Sequence, residues 1–189
     1  GYYSANFTGA DGSLVFEPYK MFQYGDTKLA MVGVTTPESF TKSTPAYFQD
    51  ENGNYIYGFR EDETGEALYS AVQQAVDSAR AEGAEFVILV GHLGMNYVTE
   101  QWSSTAVLAN TTGIDAMIDG HSHEAYTTTV KNKNGEEVLL AQTGTKLQNL
   151  GKLVLTPEDT FQAELIFEIP AADDLAGSYT VQPGDSLSR

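Results

Sequence analysis

The chain has 189 residues, which is enough for one domain with a substantial hydrophobic core. Its 10 basic and 26 acidic residues give a net charge of −16, which disfavours binding to nucleic acid polymers or to anionic membranes. The chain contains no cysteine, so a disulfide framework is excluded, and no apolar run approaches membrane-spanning length. Composition alone therefore indicates a globular domain without disulfide bonds.

The first third of the chain predicts an extended entry, a hairpin and then an irregular segment. Residues 1–12 form the entry, and strands are predicted over 14–24 and 28–35, with a turn at Gly25-Asp26. Residues 38–63 show no sustained period, although Asn52-Gly53-Asn54 is typical of a short hairpin. Their aromatic side chains allow two interpretations, stacking on a base or, as we prefer, packing onto the domain: Tyr47, Phe48, Tyr55, Tyr57 and Phe59.

The middle of the chain predicts alternating helices and strands. Helical spacing of apolar residues begins after Thr64, the predicted N-cap, and ends at Gly83. A strand at 85–90, a short helix at 103–110 and a strand at 114–118 follow. This β-α-β-α-β order predicts an α/β fold with parallel pairing and right-handed crossovers.

The last part of the chain predicts two hairpins, followed by a segment with the composition of a linker. Strands are predicted at 127–130 and 138–142, and again at 153–155 and 161–169. Residues 171–178 have the composition of a linker, so the predicted domain covers residues 1–170.

All 3 histidines follow strand-like apolar runs, and His92 and His121 each come directly after a glycine. His92 follows the run 86–90 within Gly91-His92-Leu93-Gly94, while His121 and His123 follow the run 114–118. Ligands of open α/β sheets bind at the carboxyl ends of the strands, and neutral imidazole is the commonest protein ligand of metal ions. Although a single histidine there is more often a hydrogen-bonding residue, this shared placement predicts a metal site formed by His92, His121 and His123. The single residue between His121 and His123 would let their rings diverge towards two adjacent ions.

Two motifs resemble those of the calcineurin-like metallophosphoesterases, in particular the 5′-nucleotidase branch. They are Val90-Gly91-His92-Leu93-Gly94 and the segment from Ile114 to Asp119-Gly120-His121-Ser122-His123. Ser4-Ala5-Asn6 resembles the segment after the family's Gly-Asn-His-Glu motif, and residues 29–37 resemble its next core strand. The resemblance covers about residues 3–155, with the motifs in the family's order.

The resemblance implies that the chain is the second half of a catalytic domain with a four-layer α/β/β/α sandwich. The family's earlier motifs, which supply the bridging aspartate and the other ligands, would lie upstream of Gly1. By the family pattern, His92 and His121 would bind one divalent ion and His123 the other, with the choice among Zn, Mn, Mg and Ca open. Asp119 and Glu124 are candidates for orienting these rings, although we prefer to interpret them as solvated residues at a strand end. Asn96 and Tyr97 lie past His92 on the side where a substrate would bind, but the sequence assigns a substrate contact to neither.

The implied activity is hydrolysis of a nucleotide or another phosphomonoester by a metal-activated water. The chain by itself is expected to be inactive and to hold one ion or none. The alternative function is a catalytically inactive cell-surface binding module on the same scaffold. Residues 179–187 resemble the opening of a LysM peptidoglycan-binding module, so residues 179–189 predict an extracellular or wall-associated parent protein.

Overall fold

The computed structural model describes residues 1–166, and these form an α/β fold built around one mixed sheet. The strands are Phe7–Gly9 (β1), Tyr19–Tyr24 (β2), Thr27–Thr35 (β3), Tyr57–Phe59 (β4), Phe86–His92 (β5), Ala116–Asp119 (β6), Ala125–Lys131 (β7), Glu137–Thr143 (β8), Leu150–Leu155 (β9) and Phe161–Ile166 (β10). The α-helices are Ser39–Lys42 (α1), Glu66–Ala81 (α2) and Ser104–Ala109 (α3).

The central sheet has six strands in the order β2-β3-β5-β6-β8-β7. Strands β3, β5, β6 and β8 are parallel, while β2 and β7 add antiparallel edges. The predicted β-α-β-α-β order and both predicted hairpins of this sheet are confirmed. The strand predicted over 14–24 begins only at Tyr19, since residues before it form isolated bridges.

Helices α2 and α3 cover one face of the sheet and form the core with it. Side chains alternate along each strand, so Val32, Leu89, Met117 and Leu140 come into register across four strands on the helix side. All four are fully buried against the apolar stripe of α2. That stripe consists of the residues whose spacing predicted the helix: Leu68, Ala71, Val72, Ala75, Val76 and Ala79.

The N-terminus of α2 differs from the prediction. Gly65 occupies the N-cap position with φ +85°, and Thr64 is not the cap. The carboxylate of Asp62 instead accepts hydrogen bonds from the backbone N–H groups of Glu66 (3.1 Å) and Ala67 (2.9 Å). A carboxylate at this end also interacts favourably with the helix dipole, which explains why Asp62 takes the role predicted for Thr64.

Residues 38–63 form short elements rather than an extended loop. They contain α1, a 3-10 turn at Pro45–Phe48 and β4, which pairs with β1. A bridge between Gln49 and Tyr55 closes the predicted turn at Asn52-Gly53-Asn54. Four of the aromatic rings contact each other or neighbouring phenylalanines, namely Phe48, Tyr55, Tyr57 and Phe59. This supports packing onto the domain, although Tyr47 lies exposed.

The second face of the sheet is only partly covered. The antiparallel pair of β9 and β10 packs over β7 and β8, and its Phe161 also contacts Phe86 of β5 edge to face. Towards β3, Val90 stays 41% exposed beside a cleft of about 490 Å³ that Phe22 and Met31 also line. One sheet with helices on one side and an open apolar face on the other is half of a four-layer α/β/β/α sandwich.

Within residues 1–166, no helix is long and apolar enough to cross a membrane. The end of the strand predicted over 161–169, the linker at 171–178 and the LysM-like segment at 179–189 lie outside the described residues.

Candidate metal centre

The histidines lie at the carboxyl edge of the central sheet. β5 ends at His92 and β6 ends at Asp119, two residues before His121. These strands are parallel neighbours, with Val90 opposite Ile118, so the residues after them emerge side by side. Strand register therefore brings residues 92 and 121 together although 29 positions separate them.

His92 and His121 contact each other directly. Nε2 of His92 lies 3.2 Å from Nδ1 of His121, and the ring centroids are 4.9 Å apart at an interplanar angle of 61°. The neighbouring cleft, about 440 Å³ in volume, is lined by both rings and by His123. The structure thus places all three predicted residues at one cleft, with two of them in contact.

The turn between β6 and β7 bends at the histidines and not at Gly120. His121 (φ +80°) and His123 (φ +59°) themselves adopt left-handed backbone conformations, which are uncommon outside glycine. Gly120 is needed for space, because a Cβ there would lie 3.0 Å from Nδ1 of His92. The glycine therefore admits the His92 ring rather than bending the chain.

A carboxylate that sequence reasoning missed contacts His121. Oε2 of Glu38 lies 2.8 Å from Nε2 of His121, and both side chains are nearly buried, at 11% and 12% exposure. The other carboxylate oxygen of Glu38 accepts hydrogen bonds from the backbone N–H (2.7 Å) and hydroxyl (2.6 Å) of Thr99. Although burial raises the pKa of Glu38, these bonds from Thr99 and His121 outweigh it, and the pKa lies below its ordinary value. No sequence signal linked Glu38 to a histidine 83 positions away.

The two predicted ring-orienting acids bond elsewhere. The carboxylate of Asp119 is buried and accepts hydrogen bonds from the backbone N–H groups of Leu93 (2.9 Å) and Gly94 (3.0 Å), so it fixes the loop after His92 rather than a ring. Glu124 accepts a hydrogen bond from the Asn96 amide at 3.0 Å. Neither candidate therefore bonds a histidine ring, because strand and loop geometry directs both carboxylates to other donors.

Other side chains define the cleft beside the histidines. Tyr97 lines the cleft and is 97% exposed, with a left-handed backbone conformation. Asn96 is held by Glu124 instead. Lys42 of α1 also lines the cleft and supplies a positive charge in a strongly acidic chain.

Several solved structures share this architecture. The chain matches a 5′-nucleotidase precursor from Thermus thermophilus with 21% identity and a TM-score of 0.64, covering 87% of this chain and 33% of that one. It matches a sulfate thiohydrolase, SoxB, from the same organism with 23% identity and a TM-score of 0.65, covering 87% and 27%. A calcineurin-like phosphoesterase, YfkN, from Bacillus subtilis gives 17% identity and a TM-score of 0.61, covering 87% and 55%. The chain has the metallophosphoesterase fold.

These likenesses concern structure only. No protein-family model and no curated protein matches the sequence. The chain spans 33% of the length of the nucleotidase and 27% of the length of the thiohydrolase. The metallophosphoesterase fold is thus recognised through its sheet topology and not through close sequence relatives.

The electrostatic surroundings of His92 favour its neutral form, which is the form that binds metal ions. Partial burial lowers the pKa of His92, and the neighbouring His121 and His123 lower it further, against an opposing effect of the Asp119 carboxylate. Two rings with facing nitrogens at 3.2 Å cannot both be protonated there without repulsion. At least one of the two facing nitrogens is therefore unprotonated.

The distance between the two facing nitrogens fits binding to one shared ion, but two donors do not complete a metal site. Two nitrogens bound to one zinc ion at about 2.0–2.1 Å with tetrahedral angles lie about 3.3 Å apart, close to the 3.2 Å found here. Across residues 1–166, however, no three histidine, cysteine or acidic side chains are grouped to hold a metal ion. In this metallophosphoesterase fold the described chain thus offers two converging imidazoles, with His123 nearby.

Proposed function

We propose that the chain is part of a dimetal-dependent phosphoester hydrolase of the 5′-nucleotidase type. The observation that carries the proposal is the 3.2 Å approach of His92 and His121 at the carboxyl edge of a metallophosphoesterase sheet. His123 at the same cleft supports it. The names of two matching proteins, a 5′-nucleotidase precursor and a calcineurin-like phosphoesterase, support the reaction class.

Each group of residues has a role in the proposed site. His92 and His121 would hold one divalent ion and His123 a second, with the remaining ligands supplied by a complementary segment. Bound ions would supply charge neutralisation at the phosphate and acidification of a water molecule. Lys42 and Tyr97 would bind the substrate from the cleft, the ammonium at an anionic group and the phenol ring at its mouth. The substrate is a nucleotide or another phosphomonoester, and the metal is Zn, Mn, Mg or Ca.

We also propose that the parent protein acts outside the cell or at the cell wall. The support for this is the LysM-like sequence at 179–187, whose module would bind peptidoglycan.

The experiment is a calorimetric titration of the chain with Zn²⁺ near neutral pH. We expect weak binding of one ion, and a loss of at least about tenfold in affinity on substituting His121→Ala or His92→Ala, because each removes one of two facing nitrogens. The matched control is Asn134→Ala, which lies in the distant turn between β7 and β8 and should bind as the parent chain does. Equal affinity in all four proteins would overturn the proposed site.

A catalytically inactive cell-surface binding module is the second function that we propose for this scaffold, since such a module needs no complete dimetal ligand set. The two functions differ in their response to a complementary segment. Hydrolysis that appears when that segment is present, and disappears in His121→Ala, would support the enzyme. Unchanged inactivity with a full ligand set would support the binding module.

A further inference from the structure

The structure assigns Glu38 a positioning role: we propose that its carboxylate fixes the ring of His121 so that Nδ1, and not Nε2, is the nitrogen presented to the metal ion. This inference rests on the proposed function, because it concerns how one of its metal-binding residues is held. Glu38 does not contact the ion in this proposal and is not a catalytic residue.

The first step is the contact itself. Oε2 of Glu38 lies 2.8 Å from Nε2 of His121, and the two side chains share a nearly buried position. An ionised carboxylate can only accept hydrogen bonds, so Nε2 of His121 must carry a proton. In the neutral ring Nδ1 is then the unprotonated atom.

The second step is the direction of that free nitrogen. Nδ1 of His121 faces Nε2 of His92 at 3.2 Å, in the cleft that His123 also lines. The Glu38 bond and the cleft thus lie at opposite nitrogens of one ring. Fixing Nε2 fixes both the protonation pattern and the orientation of Nδ1, a relation typical of carboxylate–histidine pairs behind metal ions.

The third step is that Glu38 is itself held rigidly. Its other oxygen accepts two hydrogen bonds from Thr99, one from the backbone and one from the hydroxyl. Thr99 belongs to the loop after β5, whereas Glu38 follows β3. Glu38 therefore ties three loops of the sheet's carboxyl edge together, and among residues 1–166 no other acidic side chain bonds a histidine.

The test uses the whole chain, Zn²⁺ as the only probe, and two readouts. The ¹⁵N shifts of the His121 ring in the metal-free chain report which nitrogen carries the proton. Calorimetry with Zn²⁺ reports affinity. For Glu38→Gln and Glu38→Ala we expect loss of the pure Nε2–H tautomer and about 10- to 100-fold weaker Zn²⁺ binding.

Two further variants serve as a control for charge and as an independent test of the Glu38 anchor. Glu124→Gln also removes one negative charge at the same edge of the sheet. Because Glu124 bonds Asn96 rather than a histidine ring, both readouts should stay as in the parent chain. Thr99→Val leaves Glu38 charged but removes one of its anchors, so it should give a mixed tautomer and an intermediate affinity, even if the Glu38 variants fold poorly.

The outcomes separate this inference from the proposed function. If His121→Ala weakens Zn²⁺ binding while Glu38→Gln and Thr99→Val leave tautomer and affinity unchanged, the role of Glu38 is overturned and the metal site stands. If His121→Ala has no effect on Zn²⁺ binding, the metal site itself fails. Equal losses in Glu124→Gln and Glu38→Gln would show a general charge effect and would also overturn the role of Glu38.

Discussion

The backbone at His121 and His123 is held in a conformation that costs roughly 1–2 kcal/mol per non-glycine residue. Such conformations persist where the surroundings over-determine them, and they occur often at functional sites. Here the Glu38 contact and the close approach of His92 supply those surroundings for His121. The turn is therefore strained at the residues with metal-binding side chains, whereas Gly120 beside them provides space.

A second acid, Asp115, gives a prediction about pH. Burial raises the pKa of Asp115, and the Val87 N–H and the Arg80 guanidinium, which donates at 2.7 Å, only partly offset this. The native carboxyl thus binds a proton more tightly than the unfolded one, whose pKa is about 3.9. Its stabilising contribution is fully present below about 3.9 and is lost as pH rises through the native pKa.

The measurement is an NMR titration of the Asp115 carboxyl carbon. We expect a midpoint above about 3.9 in the parent chain and a higher one in Arg80→Met, which removes the neighbouring cation. Asp11 serves as an internal control, because hydrogen bonds from the Ser13 hydroxyl and backbone lower its pKa. A midpoint for Asp115 at or below that of Asp11 would contradict the expectation.

At the scale of helices and strands, the periodicity of apolar residues predicted the elements that local sequence determines. The apolar stripe of α2 and the runs before His92 and His121 were sufficient for the parallel order of β3, β5 and β6. Contacts between distant segments were not predictable in the same way. The Glu38–His121 pair, and the parallel pairing of β8 with β6, depend on how loops and a hairpin fold back, and neither leaves a periodic pattern.

The N-cap of α2 is a second contact that the sequence did not predict, although it joins residues close together in the chain. Thr64 and Asp62 are both good capping residues, and their sequence positions alone did not decide between them. The left-handed Gly65 turns the chain so that Asp62 reaches the first N–H groups of α2. Sequence thus identified the helix and missed the residue that caps it.

Adjacent residues on β5 should differ sharply in their contribution to stability. Leu89 points into the helix-covered core and is fully buried, while Val90 points to the open face and is 41% exposed. We expect Leu89→Ala to lower the free energy of unfolding by about 2–5 kcal/mol, and Val90→Ala by less than about 1 kcal/mol. Urea unfolding of the two variants measures both. Similar losses would mean that the second face is covered in solution.

At the scale of the whole molecule, the fold constrains the reaction without selecting the substrate. One scaffold carries a nucleotidase precursor, a calcineurin-like phosphoesterase and a sulfate thiohydrolase among the matching structures. Function on such a fold depends on the residues at the sheet edge and in the surrounding loops, and not on the fold itself. In this chain those loops contribute Lys42 and Tyr97 to the cleft.

The chain by itself should not hydrolyse phosphomonoesters. A two-metal hydrolase needs two ions about 3.5–4 Å apart, yet residues 1–166 group no three donors for even one complete site. We therefore expect no turnover of AMP or p-nitrophenyl phosphate above background with Mn²⁺, Zn²⁺ or Mg²⁺. A phosphate-release assay on the purified chain, with His92→Ala as the matched control, measures this. Metal-dependent activity could instead copurify with the chain through several columns and be absent from His92→Ala. That result would show that the chain alone suffices for catalysis and that no complementary segment is needed.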